Sequence, residues 1–365
     1  MRTFSDLLLG LGFLSNPAIP EITGGSLCSR EGIGMTAFIR RHALSTGAAA
    51  ALLAGCGGSQ PPVATQGTMQ QGPAIATHAD RDGSWMLPEA RAEDLIYVSN
   101  WVRYGRHRGY VTVYSYATRK LVGKLTGFSF PSGLCVDKRG DVFVSDSGDY
   151  RLLEYGHGGT KPIQILRDPG QPNSCSVDAQ TGDLAVANGA PPGTSSVAIY
   201  KYAMGTPKIY AGGRSLQTFY FCAYDNEGNL FVDGTGSGST PPPVLAELRK
   251  HTNKFIIFRF DTGPGGIMWD SKNDSLAFGV SGDTVDDLLI AGKKIKFKGE
   301  TTFAGASLWQ FWLEPWRKVL VGTGPGSRPG SWVTRLWHYP LGGKPIATIK
   351  DGTYRAFGVT VSSAK

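Results

Sequence analysis

From Asp94 onward, hydrophobic and polar positions follow one recurring phrase: apolar-x-apolar-Asp, a turn carrying Gly or Asn, then a run alternating apolar and polar residues. Alternation of period two sends successive side chains to opposite faces of a strand, so each copy predicts a β-hairpin. The clear copies are Gly133-Leu-Cys-Val-Asp137 through Asp146, Cys175-Ser-Val-Asp178 through Asn188, and Cys222-Ala-Tyr-Asp225 through Asp233. Weaker ones begin at Ile267-Met-Trp-Asp270 and Leu308-Trp-Gln-Phe-Trp-Leu-Glu314. The marker acids stand 41, 47, 45 and 44 residues apart, a spacing that fits a four-stranded propeller blade with its loops. Second strand pairs follow, as in Tyr150 to Tyr155 with Pro162 to Leu166.

The two ends of the repeat region complement each other. Ala356-Phe-Gly-Val-Thr-Val361 reads as a first strand with no second, and Leu95-Ile-Tyr-Val-Ser-Asn100 as a second with no first. Joined, they make one blade and remove the open edges that invite aggregation. The expected fold is all-β: a six-bladed β-propeller over residues 91–365 whose terminal strands share a blade.

The pattern before residue 91 differs. Met35-Thr-Ala-Phe-Ile-Arg-Arg-His42, the apolar stretch Ala43 to Ala54 and Gly55-Cys56 have the layout of an export signal over residues 35–55. That apolar stretch is too short to span a bilayer. Residues 1–34 have no evident place before it, and either translation begins at Met35 or the basic region is unusually long. Arg40-Arg41 matches the twin-arginine signal poorly. Residues 56–90, rich in Gly, Ser, Pro, Gln and Thr without hydrophobic period, read as a flexible tether.

Composition narrows the picture further. Fifty Gly, 22 Pro and 18% charged residues suit short strands and tight turns. The net charge of +8 is dispersed, so no nucleic-acid stripe stands out. Five cysteines show neither paired nor zinc-like spacing.

Two resemblances rest on these residues. Leu53-Ala54-Gly55-Cys56 resembles the lipobox of bacterial lipoproteins, which implies acylation of the Cys56 thiol and a place in the bacterial cell envelope. Gly133 to Tyr155, ending Val144-Ser-Asp-Ser-Gly-Asp-Tyr-Arg-Leu-Leu-Glu-Tyr155, resembles the NHL repeat; the other blades resemble it in the hairpin. The implied group, NHL and gluconolactonase-like propellers, includes enzymes, sugar or peptide binders and scaffolds, and the fold does not choose among them.

Candidate chemistry is sparse. Metal-dependent propeller enzymes place His, Glu, Asp or Asn around the axis, but this chain offers no matching histidine set and no catalytic residue is assigned. Asn100, Asp146, Asn188 and Asp233 end successive second strands. They suit either a ring of oxygens for Ca²⁺ or sugar hydroxyls, or turn-capping of nearby amides. Cys175 and Cys222 hold equivalent places in neighbouring blades, as a disulfide or as two buried thiols, while Cys135, offset by one residue, is expected unpaired. Asp283, Asp286 and Asp287 read as a solvated hairpin tip. Most aromatics are expected to pack blade on blade, while Trp101, Arg103, Tyr104 and Arg106 form a candidate binding loop.

The leading expectation is a monomeric, lipid-anchored propeller without cofactor that binds a protein, peptide or envelope polysaccharide. The alternative is a metal-dependent hydrolase or lyase working at the channel mouth. Expressed in a bacterium with a clickable fatty acid, the chain should take up label and partition into detergent; Cys56→Ser should abolish both.

Overall fold

The computed structural model describes residues 83–102, 109–189, 195–238, 241–259, 263–280, 282–314, 316–350 and 355–365. The predicted signal, Cys56, most of the predicted tether, and Arg103, Tyr104 and Arg106 lie outside the described residues.

The described strands form six sheets. The first contains β1 (Trp85–Met86), β2 (Leu95–Asn100), β3 (Gly109–Ser115) and β4 (Leu121–Phe128). Blade II is β5 (Pro131–Val136), β6 (Val142–Asp146), β7 (Arg151–Tyr155) and β8 (Gln164–Arg167). Blade III comprises β9 (Pro172–Val177), β10 (Leu184–Asn188), β11 (Ser196–Tyr200) and β12 (Lys208–Ala211). Blade IV follows with β13 (Thr218–Tyr224), β14 (Leu230–Thr235), β15 (Pro243–Leu248) and β16 (Phe255–Arg259). Blade V is built from β17 (Ile267–Asp270), β18 (Ser275–Val280), β19 (Thr284–Ala291) and β20 (Lys294–Thr302). Blade VI has β21 (Phe311–Glu314), β22 (Val319–Pro325), β23 (Trp332–His338) and β24 (Ala347–Ile349).

The last strand, β25 (Ala356–Ser362), pairs antiparallel with β2, Val98 opposite Val359 and Tyr97 opposite Thr360. Blade I is thus ordered β1-β4-β3-β2-β25. First strands neighbour one another in the order β25, β5, β9, β13, β17, β21 and back to β25. This is the six-bladed propeller with a shared blade that the repeat pattern predicts.

Alternation explains why the second strands β2, β6, β10 and β18 are buried along their whole length. Val142 and Val144 of β6 pack with Val111 and Val113 of blade I, whereas Phe143 between them packs with Val186 and Ala198 of blade III. Each blade is apolar on both faces, and each face is buried by a neighbour.

The marker acids shape the hairpin turns. Asp225 Oδ1 accepts the N–H of Glu227 and Asn229 at 2.9 and 2.7 Å. Asp137 does the same with Arg139 and Asp141, and Asp270 with Lys272 and Asn273. Asp178 accepts from the Gln180 N–H and the Thr181 hydroxyl. A short carboxylate bonding backbone two residues ahead is the reason Asp recurs there.

Three expectations are corrected. The tether ends sooner than residue 90, because Trp85 and Met86 add a strand to β4, opposite Lys124 and Gly123, and Trp85 is buried. Two apolar side chains suffice to dock a segment whose composition otherwise reads as linker. Asp286 and Asp287 lie within β19, where Asp286 opposes Glu300 and Asp287 meets Lys298 Nζ at 3.3 Å.

The third correction concerns the cysteines. The disulfide joins Cys135 to Cys175, with Cα atoms 5.6 Å apart, and Cys222 is a free buried thiol. Residues in equivalent places point the same way around the ring, so Cys175 faces blade II and Cys222 faces blade III. The one-residue offset of Cys135 turns it toward Cys175. Opposite faces meet between blades, which makes the offset the condition for bridging. Cys135→Ala should lower unfolding free energy by about 3–4 kcal/mol through loss of the cross-link, measured by urea denaturation without reductant. Cys222→Ala should leave the bridge intact in peptide mapping.

Candidate functional site

At one end of the ring the second strands finish and the first strands begin, as Asp146 opposite Pro131 and Asn188 opposite Pro172 show. Here the inner strands are irregular. The registers of β2 with β25, β5 with β6, β9 with β10 and β13 with β14 all shift near this end. Such bulges turn side chains out of the regular alternation.

A continuous aromatic row forms here, with Phe357, Tyr220 and Phe221 lying within the shifted stretches. Trp101 lies 5.1 Å from Phe130, Phe130 lies 6.3 Å from Phe357, and Phe357 lies 5.7 Å from Trp309 between ring centroids. Trp309 then meets Tyr220 at 6.1 Å and Phe221 at 5.5 Å. The Arg355 guanidinium sits 5.0 Å over the Trp101 ring at the other end. The row runs through blades I, II, VI and IV. All its members except the buried Phe221 are partly exposed.

Beneath the row the axis is bridged by a side chain. Gln310, at the start of blade VI, accepts the Leu134 N–H at 3.0 Å through Oε1 and donates to the Leu134 carbonyl at 2.9 Å through Nε2. It passes the inner strand of blade I, where a Cβ on Gly358 would lie 2.3 Å from Gln310 Oε1. Gly266 likewise makes room, since a Cβ there would sit 2.8 Å from the Trp309 carbonyl oxygen. Serines continue the bridging. Gly358 N–H donates to Ser99 Oγ at 2.8 Å, Ser99 donates to the Ser132 carbonyl at 2.5 Å, and Ser132 donates to the Pro172 carbonyl at 2.9 Å.

The oxygen series Asn100, Asp146, Asn188 and Asp233 is fully buried at this end, and Asn100, Asp146 and Asp233 make separate hydrogen bonds. Asp146 accepts the Ser129 and Phe130 N–H groups and the Arg151 guanidinium. Asn100 donates to the Val98 carbonyl and to Thr112. Asp233 accepts the N–H of Phe221 at 2.7 Å and of Gly265 at 3.0 Å, tying blade IV to the entry of blade V. Asn188 packs against Gly170, beside the buried Asp168. These bonds are not local turn caps, since the amides that Asp146 and Asp233 accept lie 12 to 32 residues away in sequence. Among the described residues no group of three or more His, Cys, Asp or Glu is placed to hold a metal ion.

Burial governs the charge state of these acids. It raises Asp146, against the lowering effect of the Phe130 N–H and Arg151, and raises Asp233 well above the usual carboxylate range, opposed by the Phe221 and Gly265 N–H groups.

Of the predicted binding loop, Trp101 belongs to the row and the other three residues lie outside the described set. The prediction passed over Phe130, Phe357, Gln310 and Arg355, and left Tyr220 and Trp309 among the aromatics of which most were expected to pack blade on blade. Their signal is partial: Tyr220 and Trp309 each stand five residues before their marker acid, but Phe130 stands seven before its own.

Blade II matches the NHL repeat, over residues 128–155. That NHL blade reaches from the end of β4 to the end of β7. Among solved structures, a chain of a nidogen/laminin complex is similar at 13% identity and TM-score 0.56, covering 74% of this chain and 99% of that one. A functionally unknown protein from Desulfotomaculum acetoxidans is similar at 10% identity and TM-score 0.50, covering 75% and 100%. Identity this low shows the shared propeller fold alone. No curated protein matches the chain.

The raised Asp233 has a consequence for stability. A carboxyl with a higher pKa in the folded than in the unfolded chain adds stability while protonated, and that contribution is lost as pH rises from the ordinary carboxylate range through the raised folded value. Urea stability should therefore fall with rising pH more steeply in the native chain than in Asp233→Asn. Parallel curves would show that the group titrates alike in both states.

Proposed function

We propose that the chain is a lipid-anchored, extracytoplasmic β-propeller that binds a protein, peptide or envelope polysaccharide through its aromatic end, without catalysis. The observation that carries this reading is the partly exposed aromatic row lying over an axis bridged by Gln310. Tryptophan and tyrosine supply large contact area at small cost in conformational entropy, and their faces stack on sugars and apolar side chains. The Arg355 guanidinium over Trp101 adds a cation at the edge of the same surface.

The export-like signal and the lipobox-like Cys56 support the address. The Cys135–Cys175 bridge supports it too, since disulfides persist in oxidising compartments. A similar fold within a nidogen/laminin complex accords with a propeller serving protein assembly. A metal-dependent hydrolase or lyase centred on Asn100, Asp146, Asn188 and Asp233 would need the carboxylate oxygens of Asp146 and Asp233, which already accept backbone amides and, for Asp146, Arg151.

The test is binding of the full chain to arrays of envelope glycans and peptides. Trp101→Ala and Trp309→Ala should each weaken the best ligand by about tenfold, roughly 1.4 kcal/mol, with melting temperature checked in parallel. Ligand turnover, or binding indifferent to both substitutions, would overturn the reading.

A further inference from the structure

The rim of the ring carries a second, chemically different surface. Between blades II and III the outer strands β8 and β12 and the turn before β12 enclose an open cleft of about 640 Å³. Leu166, Pro169, Thr206, Pro207 and Ile209 are among its lining residues. Exposed large hydrophobic side chains concentrate around it: Ile163 is 62% exposed, Ile165 52%, Tyr202 56%, Met204 56% and Ile209 46%. Half of such residues named among the described ones fall in these two short segments. Scattered surface leucines and isoleucines need no explanation, but a cluster beside a cleft does.

The charge around the cleft is of one sign. Lys161, Arg167 and Lys201 are exposed on the same two segments, whereas Lys208 turns to blade IV, where its Nζ donates to Asn253 Oδ1 at 2.6 Å. The acid lining the cleft, Asp168, is buried and held by the Tyr200 hydroxyl at 2.8 Å and the Gly170 N–H at 2.9 Å. Strands β8 and β12 are the outermost of their sheets, so their outer backbone edges meet no further strand of the sheet. The same fold already accepts an added strand at the equivalent place in blade I, where Trp85–Met86 pairs with β4.

We propose that this cleft docks an extended partner peptide in which apolar and acidic residues alternate, added as a fifth strand along β12. Backbone bonds to the edge would supply affinity. Alternate apolar side chains would fill the cleft, and the acids between them would meet the surrounding cations. The surface is remote from the aromatic row in sequence and chemistry, so it stands whether or not that row binds a ligand.

A synthetic peptide alternating valine and glutamate, added to the full chain, tests this. Binding should weaken about tenfold in Ile209→Asp and about fivefold in Arg167→Glu, and should be unchanged in Trp309→Ala. Hydrogen exchange should slow at Lys208–Ala211 when peptide is present. Four results would overturn the proposal: equal binding of a valine–lysine peptide, no protection at β12, self-association of the chain that Ile209→Asp abolishes, or binding of anionic vesicles in place of the peptide. Arg167→Glu, a fully surface change, keeps the test informative should Ile209→Asp disturb the fold.

Discussion

A strand whose alternate residues are apolar on both faces cannot sit at the end of a stack, and every blade of this chain is built from such strands. Val142 and Phe143 are adjacent in sequence yet belong to different interfaces, one with blade I and one with blade III. The only arrangement of six such units without two wet apolar faces is a circle. Pairing β2 with β25 completes it, and the order of contacts among the inner strands, the buried oxygens and the bridged axis all presuppose that closure.

Much of this was legible in the residues themselves. The period-two alternation and the regular return of Asp137, Asp178, Asp225 and Asp270 identified the hairpins, because a carboxylate that bonds backbone two residues ahead leaves a recognisable turn. The halves at Leu95 and Ala356 identified the shared blade. What escaped was anything that depends on how neighbouring blades face each other. Cys175 and Cys222 look like partners in an alignment of repeats, but equivalence means a common direction. The bridge falls instead to Cys135, whose offset had argued against it.

The candidate site was harder to read for a related reason. Tyr220 and Trp309 stand five residues before their marker acids, but Phe130 stands seven before its own, past the bulge of β5, and no marker acid follows Phe357. Gln310 was invisible as a bridging group, since its partner Leu134 lies in a different blade and nothing local marks the pair. The oxygens of Asn100, Asp146, Asn188 and Asp233 were visible, and burial decides the work of two of them: Asp146 and Asp233 accept amides that would otherwise be stranded away from water.

The shared blade also imposes an order of events on a newborn chain. Its second, third and fourth strands leave the ribosome among the first of the ring, but the strand they lack is the last to be made, some 260 positions later, as the Ser99 to Gly358 separation of 259 indicates. Until then the inner edge of β2 has no mate, and a contact so distant in sequence forms late. The middle blades, cross-linked between II and III, are complete well before the ring can shut, so a ribosome that stalls within β25 would release a protein with five finished blades and one open seam.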